Sequence, residues 1–219
     1  IGSGSTGVFF NKVKSEPKHT NLKANIIGTL VDNLWLPWGE NNLYPQEFAK
    51  KLKKTGVAIG GLDVLTSAHF GTGFSIFQAV ETDGPIIFKE RNIYTADTKI
   101  AAFYLNCNFN IFLAEIIEDY ETWHIAYPEY LISPNGNEII SVKRLKAADC
   151  RFEKPDNNGI IWNIGVNTDW ENFKPENTAV VPCFNSNIPI SEIKDYCKLK
   201  KIFRFTIPVI DTLLVEKTY

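Results

Sequence analysis

Glycines at positions 2, 4 and 7 of IGSGSTGVFFNKVK spell G-x-G-x-x-G. With that spacing a backbone loop cradles phosphate in dinucleotide-binding folds and in protein kinases. The chemistry needs context. A dinucleotide loop follows a strand and opens a helix whose N-terminus faces the pyrophosphate. Here only Ile1 precedes Gly2, and Val8, Phe9 and Phe10 read as extended chain. The kinase form needs a strand lysine, but VAIG at residues 57–60 carries glycine in its place, and no H-R-D or D-F-G follows. Glycine and serine together fit a flexible arm. A phosphate-handling enzyme built on Gly2, Gly4 and Gly7 stays open as an alternative.

Carboxylates crowd EIIEDYE, with Glu115, Glu118, Asp119 and Glu121. Paired carboxylates are the groups of general acid–base chemistry. Read as a strand, the segment puts Asp119 and Glu121 on one face and Glu118 on the other. Acidic residues among apolar ones also mark the wet face of a half-buried sheet, and no nucleophile, base and orienting partner converge on them. Patterns such as G-x-S-x-G, H-E-x-x-H, a P-loop or a zinc site are missing. Cys107, Cys150, Cys183 and Cys197 stand far apart, and His19, His69 and His124 are scattered. Reduced structural thiols and no metal are expected. No catalytic, cofactor-binding or metal-binding residue is assigned, and a structural or binding protein is expected, not an enzyme.

The elements that would position any site sit in 219 residues, 44% of them hydrophobic, with a net charge of −2. That supports a sizeable core and no global attraction to nucleic acid or anionic membrane. No apolar run reaches the roughly 18 residues of a spanning helix, and no charged-then-apolar leader opens the chain. Residues 1–37 read as an extended arm. In NLWLPWGENNLYPQEF, Pro37, Pro45, Gly39, Asn41 and Asn42 forbid a continuous helix. Pro45 then suits the first turn of a helix to about Lys54, whose lysines 50, 51, 53 and 54 read as a solvated face.

A second helix is predicted from about Val57 to Phe70, with Ile59, Leu62, Leu65 and His69 on one stripe and Gly71 just past its end. GFSIFQAV and PIIFKE read as short strands around the turn ETDG. Thr95 is placed to cap a third helix to about Leu105. From Asn110 the chain reads as an antiparallel meander, with IFLAEIIEDY and TWHIAYPEYLI as strands. Asn135-Gly136 and Asn158-Gly159 supply hairpin turns. A short strand is expected around Val180, then a basic helical turn and an apolar segment. The fold class is α+β: N-terminal helices with an antiparallel β-meander.

Residues 38–77, WGENNLYPQEFAKKLKKTGVAIGGLDVLTSAHFGTGFSIF, resemble the N-terminal part of tailed-bacteriophage (prophage) portal proteins. The landmarks are Trp38, Gly39, Asn41, Asn42, Tyr44, Pro45, Gly71 and Gly73. NFNIFLAEIIEDYETWHIAYPEYL and VKRLKAADCRFEKPDNNG are similar to the antiparallel wing that follows in that family, with Arg151 where the family has a conspicuous arginine. The pattern covers about residues 38–185. A channel-lining helix and clip are not recognisable, so a partial or divergent member is expected.

The resemblance implies a homo-oligomeric ring at a capsid vertex, without enzymatic activity. Terminase and head-completion proteins would be its partners, and DNA would pass through its channel. It implies a location in the virion or host cytoplasm, no membrane and no cofactor. The expected parts are an arm (1–37), a helical and short-strand part (38–109), a wing-like β part (110–185) and a C-terminal segment (186–219). Lys194, Lys198, Lys200, Lys201 and Arg204 form a basic cluster that is a candidate face for DNA or a partner, or else a solvated face. The rival to assembly is a monomeric α+β interaction module that binds peptide along a sheet edge.

Overall fold

The computed structural model describes residues 20–21, 30–80, 86–91 and 98–210. The glycines of the opening arm, the ETDG turn and Thr95 lie outside the described residues. Thr20–Asn21 (β1) comes first, then helices Tyr44–Lys53 (α1) and Gly56–Phe70 (α2), strands Ile76–Val80 (β2) and Ile87–Arg91 (β3), and helices Thr98–Asn106 (α3) and Phe109–Trp123 (α4). The β-rich half follows with Ile125–Ile132 (β4), Ile139–Leu145 (β5), Cys150–Phe152 (β6), Ile160–Ile161 (β7), Asn163–Val166 (β8) and Ala179–Pro182 (β9). Helix Ile190–Lys200 (α5) and strands Arg204–Thr206 (β10) and Val209–Ile210 (β11) complete it. The fold is α+β, and the ladders between named strands are antiparallel, with one parallel bridge from Cys183 to Thr206.

The β half is built around β4. On one side β5 pairs with it over residues 127–132, and on the other β10 and β11 lie end to end along the same edge. Pro128 sits in the middle of this central strand, a position that normally rejects proline. A residue's N–H and C=O point to the same neighbour, and the Pro128 carbonyl accepts from Thr206 Oγ1 at 2.8 Å. The missing N–H therefore faces the junction between β10 and β11, where the ladder is already broken. The proline costs no hydrogen bond there.

A second antiparallel sheet runs β6–β8–β9. It gains an outer strand-like stretch where Leu36 N donates to Phe152 O and Lys154 N donates to Leu34 O. Phe184 N donates to Thr206 O, which joins the two sheets at β9 and β10. One core lies between them, with Leu36, Ile125, Tyr127, Phe152, Ile161, Ile164 and Val181 buried together. Gly165 admits the Trp35 ring onto this sheet: a Cβ there would lie 2.9 Å from the indole. A second cluster, Ile132, Phe184, Ile193, Cys197 and Phe205, forms where α5 covers β10. Ile193 and Cys197 are four apart and share the buried helix face.

The helices before α4 are packed far more thinly. Pro45 is the buried residue of α1, and α2 buries none of its fifteen. α2 rests on α4, where His69 Nδ1 meets Glu121 Oε1 at 2.6 Å. The β2–β3 hairpin exposes Phe77, Ile87 and Phe88.

Two sequence expectations change. IFLAEIIEDY is not a strand: it lies within α4, and the antiparallel strands begin at Ile125 instead of Asn110. Its apolar positions 112, 113, 116, 117 and 120 repeat with the helical period, which prevails over the local β preference of Ile and Phe. Asn108, left-handed at φ 46°, starts this helix, and His124, left-handed at φ 55°, ends it. The Asn135-Gly136 turn does close the β4–β5 hairpin, but as a longer loop. Ser133 N donates to Glu138 O and Gly136 N to Ser133 O, so four residues separate the closing pair.

Candidate functional site

Arg151, on β6, is 2% exposed. Its guanidinium donates from Nε to Asn42 Oδ1 at 2.5 Å and from Nη2 to Asn42 O at 2.9 Å. From Nη1 it donates to Cys150 O at 2.7 Å and Ala148 O at 2.9 Å. Its flat faces lie by two indoles, 5.5 Å from the ring centre of Trp38 and 5.1 Å from that of Trp170. A buried cation is tolerable only when its donors are satisfied, and the planar fork of arginine suits carbonyl acceptors on two segments at once.

The segment it holds is a tight turn. Asn42 is left-handed at φ 61°, a conformation asparagine accepts. Its Oδ1 also accepts from Trp38 N at 3.0 Å. Asn42 N donates to Gly39 O and Tyr44 N to Trp38 O, each at 3.2 Å. Gly39 has φ +82°, and a Cβ on it would sit 2.9 Å from Tyr44 Cβ, so side chain and conformation both demand glycine there. Pro45 then enters the first turn of α1, and Tyr44 stacks on Phe48 at 5.8 Å. Asn41 accepts from Leu43 N and donates to Glu47, which steadies the helix start.

Thus Trp38, Gly39, Asn42, Tyr44, Pro45 and Arg151 form one cluster, although Asn42 and Arg151 are 109 residues apart. Gly71 and Gly73 are not part of it: they lie beyond the far end of α2, where Gly71 N donates to Ser67 O and Gly73 packs by Phe70. The sequence reading missed Trp170, which is buried, donates to Asp149 O at 2.9 Å and meets Trp35 edge-on. Its signal was a tryptophan in a polar loop, where a large apolar ring needs a cover. Burial raises the Asp149 carboxyl above its ordinary value, against the pull of Lys146 and Arg151. It also raises the Cys150 thiol well above its own. The cluster is an anchor that ties the helical half to the β half.

The carboxylates of α4 diverge. Asp119, 2% exposed, accepts from Arg144 Nε at 2.8 Å and Nη2 at 2.6 Å, and from Ala147 N at 3.1 Å. Glu118 and Glu115 stand 3.6 Å and 4.0 Å from Arg144 Nη1. Partial burial pulls the Arg144 pKa down, but the Asp119 hydrogen bonds and charge, then Glu118 and Glu115, leave it raised overall. Glu121 turns instead to His69. Among the described residues no group of three or more His, Cys, Asp or Glu is placed to hold a metal ion.

The predicted basic cluster is partly occupied. Arg204 Nε lies 2.9 Å from Glu129 Oε1, an ion pair without the alignment of a hydrogen bond. Lys198 Nζ donates to Asn137 Oδ1 at 3.2 Å, and Lys200 Nζ lies 5.9 Å from the Tyr196 ring centre. Lys194 is half-buried, and Lys201 caps α5 in a left-handed conformation. By contrast, Lys50, Lys51, Lys53 and Lys54 of α1 are all exposed. Beside them α2 presents Val57, 88% exposed, and Val64, 68% exposed.

Among the described residues no single helix is long and apolar enough to cross a membrane; Lys99–Asn106 with Phe109–Trp123, bent by 54°, passes that test only as a pair. Comparison with protein-family models, with curated proteins and with solved structures returns no match.

Proposed function

We propose that this chain is a portal-like structural protein of a tailed phage or prophage. In this reading it assembles with copies of itself into a ring at a capsid vertex, through which DNA is packaged and ejected. It carries out no reaction of its own; terminase and head-completion proteins are its partners, and it resides in the virion or the host cytoplasm. The observation that supports this reading is that Arg151 holds the turn of residues 38–45 from 109 residues away, through Asn42 and the Trp38 ring. Residues that carry the portal resemblance come from two distant parts of the chain, and Asn42, Pro45 and Arg151 among them are buried. A helical half that buries so little apolar surface also suits a protein that works in an assembly.

The rival readings have less behind them. A peptide docking along β5 would meet an edge whose outward Val142 N–H already donates to Cys107 Sγ at 3.4 Å. Negative-stain images of the intact gene product test the reading. Closed rings with an axial opening are the expected result. A strict monomer that takes a peptide along a sheet edge would overturn it, as would nucleotide binding abolished by Gly4→Ala.

A further inference from the structure

Two exposed surfaces on the helical half match each other in charge. On α1, Lys50, Lys53 and Lys54 fall three and four residues apart and so share one face, with Lys51 beside them. The opposite face turns inward, where Phe48 meets Trp123 at 5.4 Å. The lysines lead directly into α2, whose outer side carries Val57, Val64 and Leu65, all exposed. Gly60 and Gly61 share that side, and a Cβ on either would meet no atom within 4 Å. Among the described residues none of the four lysines has an ion-pair partner.

The second surface is a stripe on α4. Ile111, Glu115 and Glu118 repeat at four and three residues, and all three are substantially exposed. Three carboxylates, Glu115, Glu118 and Asp119, surround the single guanidinium of Arg144, so the stripe keeps an excess of two negative charges. Asp119 takes the two short bonds, which leaves the exposed Glu115 and Glu118 only distant partners. One surface is thus apolar with a cationic flank, the other apolar with an anionic flank, and they do not pair within a chain.

We propose that the α1–α2 face of one copy docks on the α4 stripe of a second copy. Lys50, Lys53 and Lys54 then lie against Glu115 and Glu118, and Val57 and Val64 against Ile111. Because two different surfaces meet, the contact is head-to-tail and propagates into a closed ring or a filament. The inference rests on the self-assembly reading above and names the surfaces that reading leaves open. Charge complementarity singles out a second copy: an anionic membrane would match the lysine face but leave the acidic stripe unmatched.

Charge reversal tests it in the full chain, with assembly read by sedimentation velocity and negative stain. K50E/K53E and E115K/E118K should each weaken self-association about tenfold or more. The quadruple variant, which restores opposite charges across the contact, should recover it. Circular dichroism checks folding. If E115K/E118K disturbs Arg144, Ile111→Asn on the same stripe is the second route and should weaken assembly alone. Rings that survive both reversals overturn this contact while leaving the portal-like reading intact; a wild-type chain that stays monomeric at every concentration overturns both. Capture by phosphatidylcholine–phosphatidylserine vesicles that K50E/K53E abolishes, with self-association unchanged, also overturns the contact.

Discussion

Arg151 shows how much depends on one side chain. It holds Asn42 by two hydrogen bonds, two carbonyls of its own segment by two more, and lies between two indoles. Lysine has the charge but neither the flat fork nor the reach to bond both segments at once. Arg151→Lys should therefore cost about 2–4 kcal/mol, because buried acceptors lose their donors. Urea unfolding followed by tryptophan fluorescence would show this as a lower midpoint at unchanged slope.

Asp149, beside it, carries an opposite lesson. Burial raises its pKa above 3.8, so the folded chain holds the proton to a higher pH than the unfolded chain does. The contribution of this group to stability is complete below pH 3.8 and falls as pH rises through the folded value. Asp149→Asn, which cannot ionise, should melt higher than the wild type at neutral pH, and the gap should close on acidification. Melting curves across pH would check both signs.

At the scale of elements, the sequence was most legible where turn chemistry is strong. Both helices flanking Lys54, the cap at Gly71 and the two Asn-Gly hairpins fall where residue types put them. α4 was misread because Ile and Phe favour strands locally, while its period becomes decisive only once it has β4 and β5 to pack on. The joint between α4 and β5 is Asp119 with Arg144 and Ala147. Removing one partner of a buried pair leaves the other uncompensated. Asp119→Ala should cost about 3 kcal/mol or more, as a lower thermal midpoint with fraying of α4 in amide exchange. Arg144→Met with Asp119→Leu should recover much of the loss.

The whole molecule divides into a dense β half and a thin helical half. The anchor between them was half legible in the sequence. Trp38, Asn42 and Arg151 stood out as candidates in the sequence, but Trp170 joins them from a polar loop that no periodicity marks. The apolar outer face of α2 was not legible either, since a helix rich in valine and leucine reads as core until its neighbours are known. The cysteines report on the dense half. All four are buried, and burial pushes the Cys197 thiol up to about 11. A buried thiol holding its proton is unreactive, so Ellman's reagent should label the native protein slowly and all four sites quickly in guanidinium.

The placement of β10 and β11 along β4 bears on synthesis. The central strand receives its second neighbour only from residues 204–210, the last to be described. While a ribosome is still extending the chain past α5, one edge of β4 has no ladder and Phe184 lacks the Phe205 ring it later meets at 5.5 Å. A chain stopped after Ile202 would keep that open edge permanently. It should accumulate in the insoluble fraction of an expression lysate to a greater extent than the full 219-residue chain.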